Sequence, residues 1–218
     1  MILGEFGAVV FDFDGTLADS HAAMTRAYLV WADEFGVDPE TLIQFTGMPS
    51  ASVAAALLPE AHVERASLRI EELEVADTEG VVALPGAAEA LTGSPVKAIA
   101  TSCTAPLLDA RLGAVGLERP DVVVTRNDVD NGKPAPDSFL LAAERLGVAP
   151  SDCLVCEDAP AGVAAARAAG MAVVGVLSAH TAEELQADWH VNTLAELLFE
   201  PSDAGVRVSW REDRQHGS

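Results

Sequence analysis

Basic residues are scarce in this sequence. Its 218 residues include 13 lysines and arginines against 34 aspartates and glutamates, so the formal net charge is −21. A field of this sign repels polyanions, which argues against nucleic acids and anionic membrane surfaces as partners. The same field repels a small anionic ligand. An anion site would therefore have to be built locally, from a metal ion, a lysine or oriented backbone N–H groups.

Cysteine is also rare. Cys103, Cys153 and Cys156 are too few, and odd in number, for a disulfide framework, which favours a reducing compartment. Cys153 and Cys156 have the spacing of a redox pair. They lie, however, in an apolar run typical of a strand, where positions three apart face opposite sides. We therefore expect inert core cysteines.

Long hydrophobic runs are absent. The first apolar stretch stops at Asp12, too early for a membrane span, and the residues before it carry no basic region of the kind found in signal peptides. We expect a cytoplasmic protein that does not contact membranes. A monomer is the default expectation for its oligomeric state.

Short apolar runs do recur along the chain, as expected of parallel strands buried on both faces. They cover residues 7–11, 96–100, 122–125, 153–155 and 172–176. Between them, Phe139, Leu140, Ala143 and Leu146 share one helix face, and a second helix over 161–169 ends at Gly170. Strands alternating with helices predict an α/β fold with a doubly wound, Rossmann-like parallel sheet.

One segment, from about Ser20 to Thr78, shows helical periodicity and no strand-like run. Its apolar face comprises Met24, Tyr28, Trp31 and Phe35, Gly36 ends that helix, and Pro39, Pro49 and Pro59 mark further helices. We assign residues 19–82 to a helical cap domain, called here the helical insertion, and residues 1–18 and 83–218 to the core. Both connections lie beside the end of the first strand, so the insertion is placed to close over it. A subdomain with only a packing role is the alternative.

The C-terminal region shows a weaker pattern. Val206, Val208 and Trp210 alternate with other residues, which favours a short edge strand after Pro201. The polar residues that follow are expected to fray.

Polar residues follow the apolar runs at the ends where parallel sheets bind ligands. They are Asp12, Asp14, Gly15 and Thr16 after the first run, Thr101 and Ser102 after the second, Lys133 in the loop after the third, and Glu157 and Asp158 after the fourth. Each group alone is explained by a turn, a helix cap or a solvated loop. Their recurrence at the ends of separate core strands favours an active site.

The acidic residues of this set indicate a magnesium site. Asp12 and Asp14 are two apart at a strand end, and together with Glu157 and Asp158 they offer the all-oxygen ligands that suit Mg²⁺. Such a metal usually keeps several waters and a substrate phosphate as its other ligands.

The same residues suggest a reaction at phosphorus. We assign Asp12 as nucleophile, and Asp14 as the group that protonates the leaving alcohol and then activates water. Mg²⁺ and Lys133 would offset charge on the transferring group. Thr101 and backbone N–H groups near Ser102 would hold the other phosphoryl oxygens. Gly15 and Thr16 are assigned with Ser102 to substrate binding.

The run from Asp12 to Ser20 resembles the first signature of the haloacid dehalogenase-like superfamily, whose phosphatases share an aspartate nucleophile. Thr101 resembles the second signature, residues 132–137 the third and residues 157–162 the fourth. The resemblance spans about residues 7–198. The namesake dehalogenases use no metal and lack the second aspartate of the first signature, so Asp14 argues against that activity.

The position of the insertion is similar to that of the helical-cap subgroup, which includes sugar, glycerol-phosphate and phosphoglycolate phosphatases and beta-phosphoglucomutases. Residues 79–86, 128–136 and 146–150 most resemble the sugar and polyol phosphatases. The resemblance therefore implies a Mg²⁺-dependent phosphatase that hydrolyses a small phosphorylated metabolite through an aspartyl-phosphate on Asp12.

Three alternatives remain open at this point: a beta-phosphoglucomutase-type mutase, a phosphoglycolate phosphatase, and a receiver-like signalling domain phosphorylated on aspartate. Receivers carry no large helical insertion. A mutase must hold a second phosphate with cationic groups of the insertion. Those groups are few, namely Arg26, Arg65, Arg69, His21 and His62, and residues 71–79 are acidic. If Arg65 or Arg69 faces the cleft, a substrate with a second anionic group becomes plausible.

Cys103 departs from the family pattern, which often has a small polar residue just after the second signature. A thiol at the start of a helix can have a lowered pKa. A lowered pKa would make Cys103 reactive, and inactivation of the protein by oxidation of this thiol is therefore a hypothesis.

Overall fold

The computed structural model describes residues 1–45 and 50–211. Its strands are β1 (Ile2–Phe6), β2 (Ala8–Phe11), β3 (Ala18–Asp19), β4 (Val82–Ala83), β5 (Lys97–Ala100), β6 (Val122–Val124), β7 (Cys153–Glu157), β8 (Ala172–Val176), β9 (Trp189–Val191), β10 (Leu197–Ser202) and β11 (Gly205–Trp210). Its α-helices are α1 (His21–Phe35), α2 (Ser50–Leu57), α3 (Glu60–Ala76), α4 (Ala87–Gly93), α5 (Ala105–Val115), α6 (Asp137–Leu146), α7 (Pro160–Ala168) and α8 (Ala182–Leu185).

Six strands form one parallel sheet in the order β6-β5-β2-β7-β8-β9. Every residue of β2 and β7 is buried, as expected of their apolar residues, and β7 ends in the buried Glu157. The predicted α/β fold with a doubly wound parallel sheet is confirmed. Strand β9 was not predicted, because His190 in its centre interrupts the apolar run.

The two faces of this sheet contribute to separate hydrophobic clusters. One cluster contains Leu154 and Cys156 with residues of α4 and α5, and the other contains Cys153 and Val155 with residues of α6 and α7. The two cysteines therefore point to opposite faces, and all three cysteines are free and buried. The expectation of inert core thiols at Cys153 and Cys156 agrees with this placement.

Helix α6 differs in one residue from its predicted apolar face. Phe139 and Ala143 are buried as expected, but Leu140 is 40% exposed. Ala142 is buried instead. The prediction that Leu140 shares a face with Phe139 and Ala143 is wrong, because the helix directs Ala142 inward in its place.

A second, antiparallel sheet has the order β1-β11-β10. The alternating residues Val206 and Val208 are buried in β11, so the predicted strand exists. Its predicted place at an edge is wrong, since β11 pairs with β1 on one side and with β10 on the other. The polar residues expected to fray lie largely outside the described residues.

The helical insertion contains α1, a 3₁₀ segment (Pro39–Phe45), α2 and α3. Trp31 is fully buried, and its indole nitrogen donates to the carbonyl oxygen of Ala66 on α3 at 3.0 Å. Gly36 ends α1 in a left-handed conformation, as predicted. Pro59 precedes α3 as predicted, whereas Pro49 lies outside the described residues. The proposed domain limits at residues 19 and 82 remain a prediction.

Two features join the insertion to the rest of the chain. Strands β3 and β4 pair antiparallel where the chain leaves and re-enters the core. Helix α3 also lies against α5: the Thr104 hydroxyl donates to Glu71 at 2.5 Å, and the Arg111 guanidinium donates to Glu74 at 2.8 Å. The insertion therefore contacts the core through side chains as well as through its two connections.

Across the described ranges, 1–45 and 50–211, no helix combines the length and the apolar character needed to span a bilayer.

Candidate active site

The site lies at the carboxyl ends of β2 and β7, neighbours in the middle of the sheet. Asp12 directly follows β2, and its backbone N–H donates to the carbonyl of Cys156 on β7. The ammonium nitrogen of Lys133 lies 2.6 Å from Oδ1 of Asp12 and 3.3 Å from Oε1 of Glu157. It also lies 4.9 Å from the centroid of the Phe139 ring. Residues distant in the chain thus form one compact charged group.

Asp12, Glu157 and Asp158 form an acidic group in which one ligand oxygen from each residue lies within 4.8 Å of the others. Burial, and then the charge of Glu157, raises the pKa of Asp12, although Lys133 opposes the change. Burial, and then the charge of Asp12, raises the pKa of Asp158 to about 7. Burial alone would lower the pKa of Lys133, but the two carboxylates outweigh it and raise that pKa.

This donor set fits a hard divalent cation. The site holds three carboxyl groups and one ammonium group, which contacts two of them, so its acidic groups outnumber its cationic groups. Oxygen ligands at close spacing are those that Mg²⁺ prefers, and a cation among them would relieve their repulsion.

Two glycines make this arrangement possible. Gly15 has a φ of +81°, and a Cβ atom there would overlap with the carboxylate of Asp158. A Cβ atom on Gly162, in the first turns of α7, would overlap with the carboxylate of Glu157. Both acidic side chains therefore pack directly against glycine backbone.

The carboxylate of Asp14 lies outside the three-acid group. Its Oδ1 accepts from the Ser20 hydroxyl at 2.6 Å, and its Oδ2 accepts from the Arg111 guanidinium at 2.7 Å and from the Cys103 thiol at 2.8 Å. The structure thus brings together three of the four predicted metal residues and directs the fourth side chain elsewhere. This observation does not test the predicted role of Asp14 in proton transfer.

The remaining predicted residues surround these groups. Thr101 is buried, and its hydroxyl accepts from the backbone N–H of Cys103 at 3.0 Å, whereas Ser102 is exposed. Thr16 is fully buried, and its hydroxyl has no hydrogen-bond partner among the described residues. The roles of these residues and of Gly15 in substrate binding remain predictions.

Cys103 differs from expectation. Its side chain points to Asp14 instead of to the N-terminus of α5, and it is 5% exposed. Burial, and then the charge of Asp14, raises the pKa of this thiol well above its usual range. The expected lowered pKa is therefore wrong, and the oxidation hypothesis loses its physical basis.

Two contacts of the acidic residues were not predicted. The Ser178 hydroxyl donates to Oδ2 of Asp158 at 3.2 Å. Ser178 follows β8 by two residues, so the strand-end argument used for the other residues could have found it. Arg111 lies on α5 between the buried Leu108 and Leu112. A charged residue on an apolar helix face was the available signal.

The arginines of the insertion have partners within the insertion. Arg69 pairs with Glu34 at 2.7 Å and with Glu72 at 3.1 Å. The Arg65 guanidinium lies 5.5 Å from the centroid of the Phe35 ring. Arg26 pairs with Asp77 at 2.7 Å and also donates to the Glu79 carbonyl.

Comparison with known proteins identifies the family. Residues 9–176 match the family described as haloacid dehalogenase-like hydrolase. Hexitol phosphatase A of Escherichia coli (strain K12) is 43% identical over 77% of this chain and 81% of its own length. Fructose-1-phosphate phosphatase YqaB of the same strain is 33% identical over 78% of this chain and 96% of its own length.

A solved structure agrees with these relatives. The crystal structure of CbbY from Rhodobacter sphaeroides in complex with phosphate has a TM-score of 0.73 and 26% identity, covering 88% of this chain and 96% of that chain. The predicted family and the predicted enzyme class, phosphoric monoester hydrolases, are confirmed by the family match and by the phosphatase relatives. The chain belongs to the haloacid dehalogenase-like hydrolases.

Proposed function

We propose that this protein is a Mg²⁺-dependent phosphatase that hydrolyses a sugar or polyol phosphate through an aspartyl-phosphate on Asp12. The observation that carries the proposal is the 2.6 Å contact of Lys133 with Asp12, inside a buried acidic group. The substrate class is supported by the two relatives named as hexitol and fructose-1-phosphate phosphatases.

In the first step a carboxylate oxygen of Asp12 attacks phosphorus, and the ester P–O bond breaks. The leaving alkoxide takes a proton from the carboxyl group of Asp14. Lys133 lies beside the attacking carboxylate, where its positive charge offsets the negative charge that gathers on the transferring group. The products are a free alcohol and an acyl phosphate on Asp12.

In the second step water attacks the phosphorus of the acyl phosphate and gives its proton to the Asp14 carboxylate. The bond between phosphorus and Asp12 breaks, inorganic phosphate leaves, and both aspartates return to their starting states. Asp14 serves both steps, first as acid and then as base.

Asp12, Glu157 and Asp158 are the residues that would hold Mg²⁺. A bound Mg²⁺ supplies Lewis-acid stabilisation of the phosphoryl oxygens. Thr101 and the backbone N–H groups near Ser102 are assigned to the remaining phosphoryl oxygens.

Hydrolysis is favoured over the mutase alternative by the charges of the insertion. Its arginines Arg26 and Arg69 are paired with acidic residues, and Arg65 packs on a ring. No free cationic cluster for a second phosphate therefore stands out among the described residues of the insertion. If the protein were a mutase, it would convert beta-glucose 1-phosphate to glucose 6-phosphate without releasing phosphate.

The test is phosphate release from a panel containing fructose 1-phosphate, hexitol phosphates, glycerol phosphate, phosphoglycolate and p-nitrophenyl phosphate. We expect Mg²⁺-dependent release that favours the sugar and polyol esters. Asp12→Asn should lower kcat by about 10³-fold or more with an unchanged circular dichroism spectrum, because the amide keeps the shape but removes the nucleophile. Substantial activity in Asp12→Asn would overturn the mechanism.

A further inference from the structure

Arg111 links the predicted acid–base residue to the helical insertion. Its side chain is 4% exposed and lies on α5 of the core. Nη1 donates to Oδ2 of Asp14 at 2.7 Å, and Nη2 donates to Oε1 of Glu74 on α3 at 2.8 Å. One guanidinium therefore bridges the end of strand β2 and a helix of the insertion.

Because the bridge is buried, each of its charged groups depends on the others for compensation. The side chain of Glu74 is 10% exposed, and burial raises its pKa while Arg111 opposes that change. Removing one member of a buried charged network leaves the other charges uncompensated, which is strongly unfavourable. Arg111 can satisfy both carboxylates because its planar fork offers two donor nitrogens in fixed directions.

We infer that Arg111 is a positioning residue for Asp14, and that Glu74 of the insertion holds Arg111 in place. Proton transfer at the reacting oxygen then depends on a side chain of α3. The inference rests on the proposed function, in which Asp14 protonates the leaving alcohol and activates water. Ser20 and Cys103 also contact Asp14, but Arg111 is the contact through which a residue of α3 reaches it.

The chain contains a matched control for this bridge. Glu71 lies one turn before Glu74 on α3 and accepts from the Thr104 hydroxyl, which precedes α5. The Glu71–Thr104 and Glu74–Arg111 contacts both join α3 to the region of α5. Only the second continues to Asp14. Replacing Glu71 thus reports the general cost of weakening the contact between insertion and core.

The test compares two esters that differ in their need for an acid. A glycerol phosphate leaves as an alkoxide and requires a proton, whereas p-nitrophenyl phosphate leaves as a stable phenolate. We expect Arg111→Lys and Glu74→Leu to lower kcat/KM about 10- to 100-fold for the alkyl ester, and much less for the aryl ester. Glu74→Gln keeps an acceptor for Arg111 and should retain most activity. Glu71→Leu should leave the ratio of the two kcat/KM values unchanged.

A second readout follows from the role of Asp14 in activating water. With p-nitrophenyl phosphate, Arg111→Lys and Glu74→Leu should release a burst of about one equivalent of nitrophenol before a slow steady state, because phosphoenzyme forms faster than it is hydrolysed. A variant that merely unfolds in part would lose burst and steady state together.

Equal losses for both esters, without a burst, would overturn the inference, as would an equal effect of Glu71→Leu on the ratio. These outcomes differ from failure of the proposed function. In that case the unchanged protein itself would release no phosphate from either ester.

Discussion

Gly15 and Gly162 leave the space that the carboxylates of Asp158 and Glu157 occupy. The importance of Gly162 can be tested against a second helical glycine, Gly113. Gly162 lies in α7 against the Glu157 carboxylate, while Gly113 lies in α5 with open space around it. Both are helical residues, so alanine should improve helix propensity equally at the two positions. Only at Gly162 must a new methyl group displace a side chain of the site.

We therefore expect opposite outcomes for these two substitutions. Gly113→Ala should stabilise the protein by about 0.5–1 kcal/mol and leave activity unchanged. Gly162→Ala should destabilise it by about 1–3 kcal/mol, as overpacking does, and raise the Mg²⁺ concentration needed for half activity. Urea denaturation and a Mg²⁺ titration of phosphate release measure both effects. An unchanged Mg²⁺ requirement in Gly162→Ala would show that Glu157 does not depend on this space.

The raised pKa of Asp158 predicts how stability responds to pH and Mg²⁺. With a folded value of about 7 against an ordinary 3.8, the folded protein retains a proton that the unfolded chain has already released. The contribution of Asp158 to the free energy of unfolding therefore falls as pH rises from about 4 to about 7, and it is constant above pH 7. Mg²⁺ competes with that proton, so its stabilising effect must grow over the same interval.

Thermal unfolding should show this dependence directly. Saturating Mg²⁺ should raise Tm more at pH 8 than at pH 5.5, and Asp158→Asn should reduce the rise at pH 8. An equal rise at both values of pH would mean that the cation binds away from these carboxylates.

The sequence predicted strands best where their residues are buried. Strands β2, β5, β7 and β8 are largely apolar and buried, with charged residues only at their ends, Lys97 in β5 and Glu157 in β7, so their composition identified them. Strand β1 was missed because its residues are half exposed and no apolar run results. Strand β10 includes Glu200 and Pro201, and its partner β11 determines its conformation.

The same limit applies to the site. The topology of a parallel sheet makes its strand ends converge, so Asp12, Lys133, Glu157 and Asp158 could be grouped from their positions in the chain. The direction of a side chain is set by its hydrogen-bond partners. Asp14 turns to Arg111, a residue whose place on a helix carried no strand-end signal. The contact of α3 with α5 involves residues 37 apart and depends on packing that periodicity does not specify.

The net charge of −21 opposes the approach of an anionic substrate. Salt screens this repulsion, since the Debye length falls from about 30 Å at 0.01 M to about 8 Å at 0.15 M. We expect KM for a sugar phosphate to fall about 2- to 5-fold over that range at saturating Mg²⁺, with kcat nearly constant. A sugar bisphosphate should respond more strongly, since it carries more charge. A KM that rises with salt would indicate that local cationic groups attract the substrate from solution.

The acyl phosphate on Asp12 is the intermediate on which the proposed chemistry depends, and it can be trapped. Borohydride reduces an aspartyl-phosphate to homoserine, which peptide mass spectrometry locates in the chain. Enzyme quenched during turnover of a sugar phosphate with Mg²⁺ should carry homoserine at position 12, and enzyme without substrate should not. Continued phosphate release with an unmodified Asp12, or with the modification at another residue, would contradict the assignment of Asp12 as nucleophile.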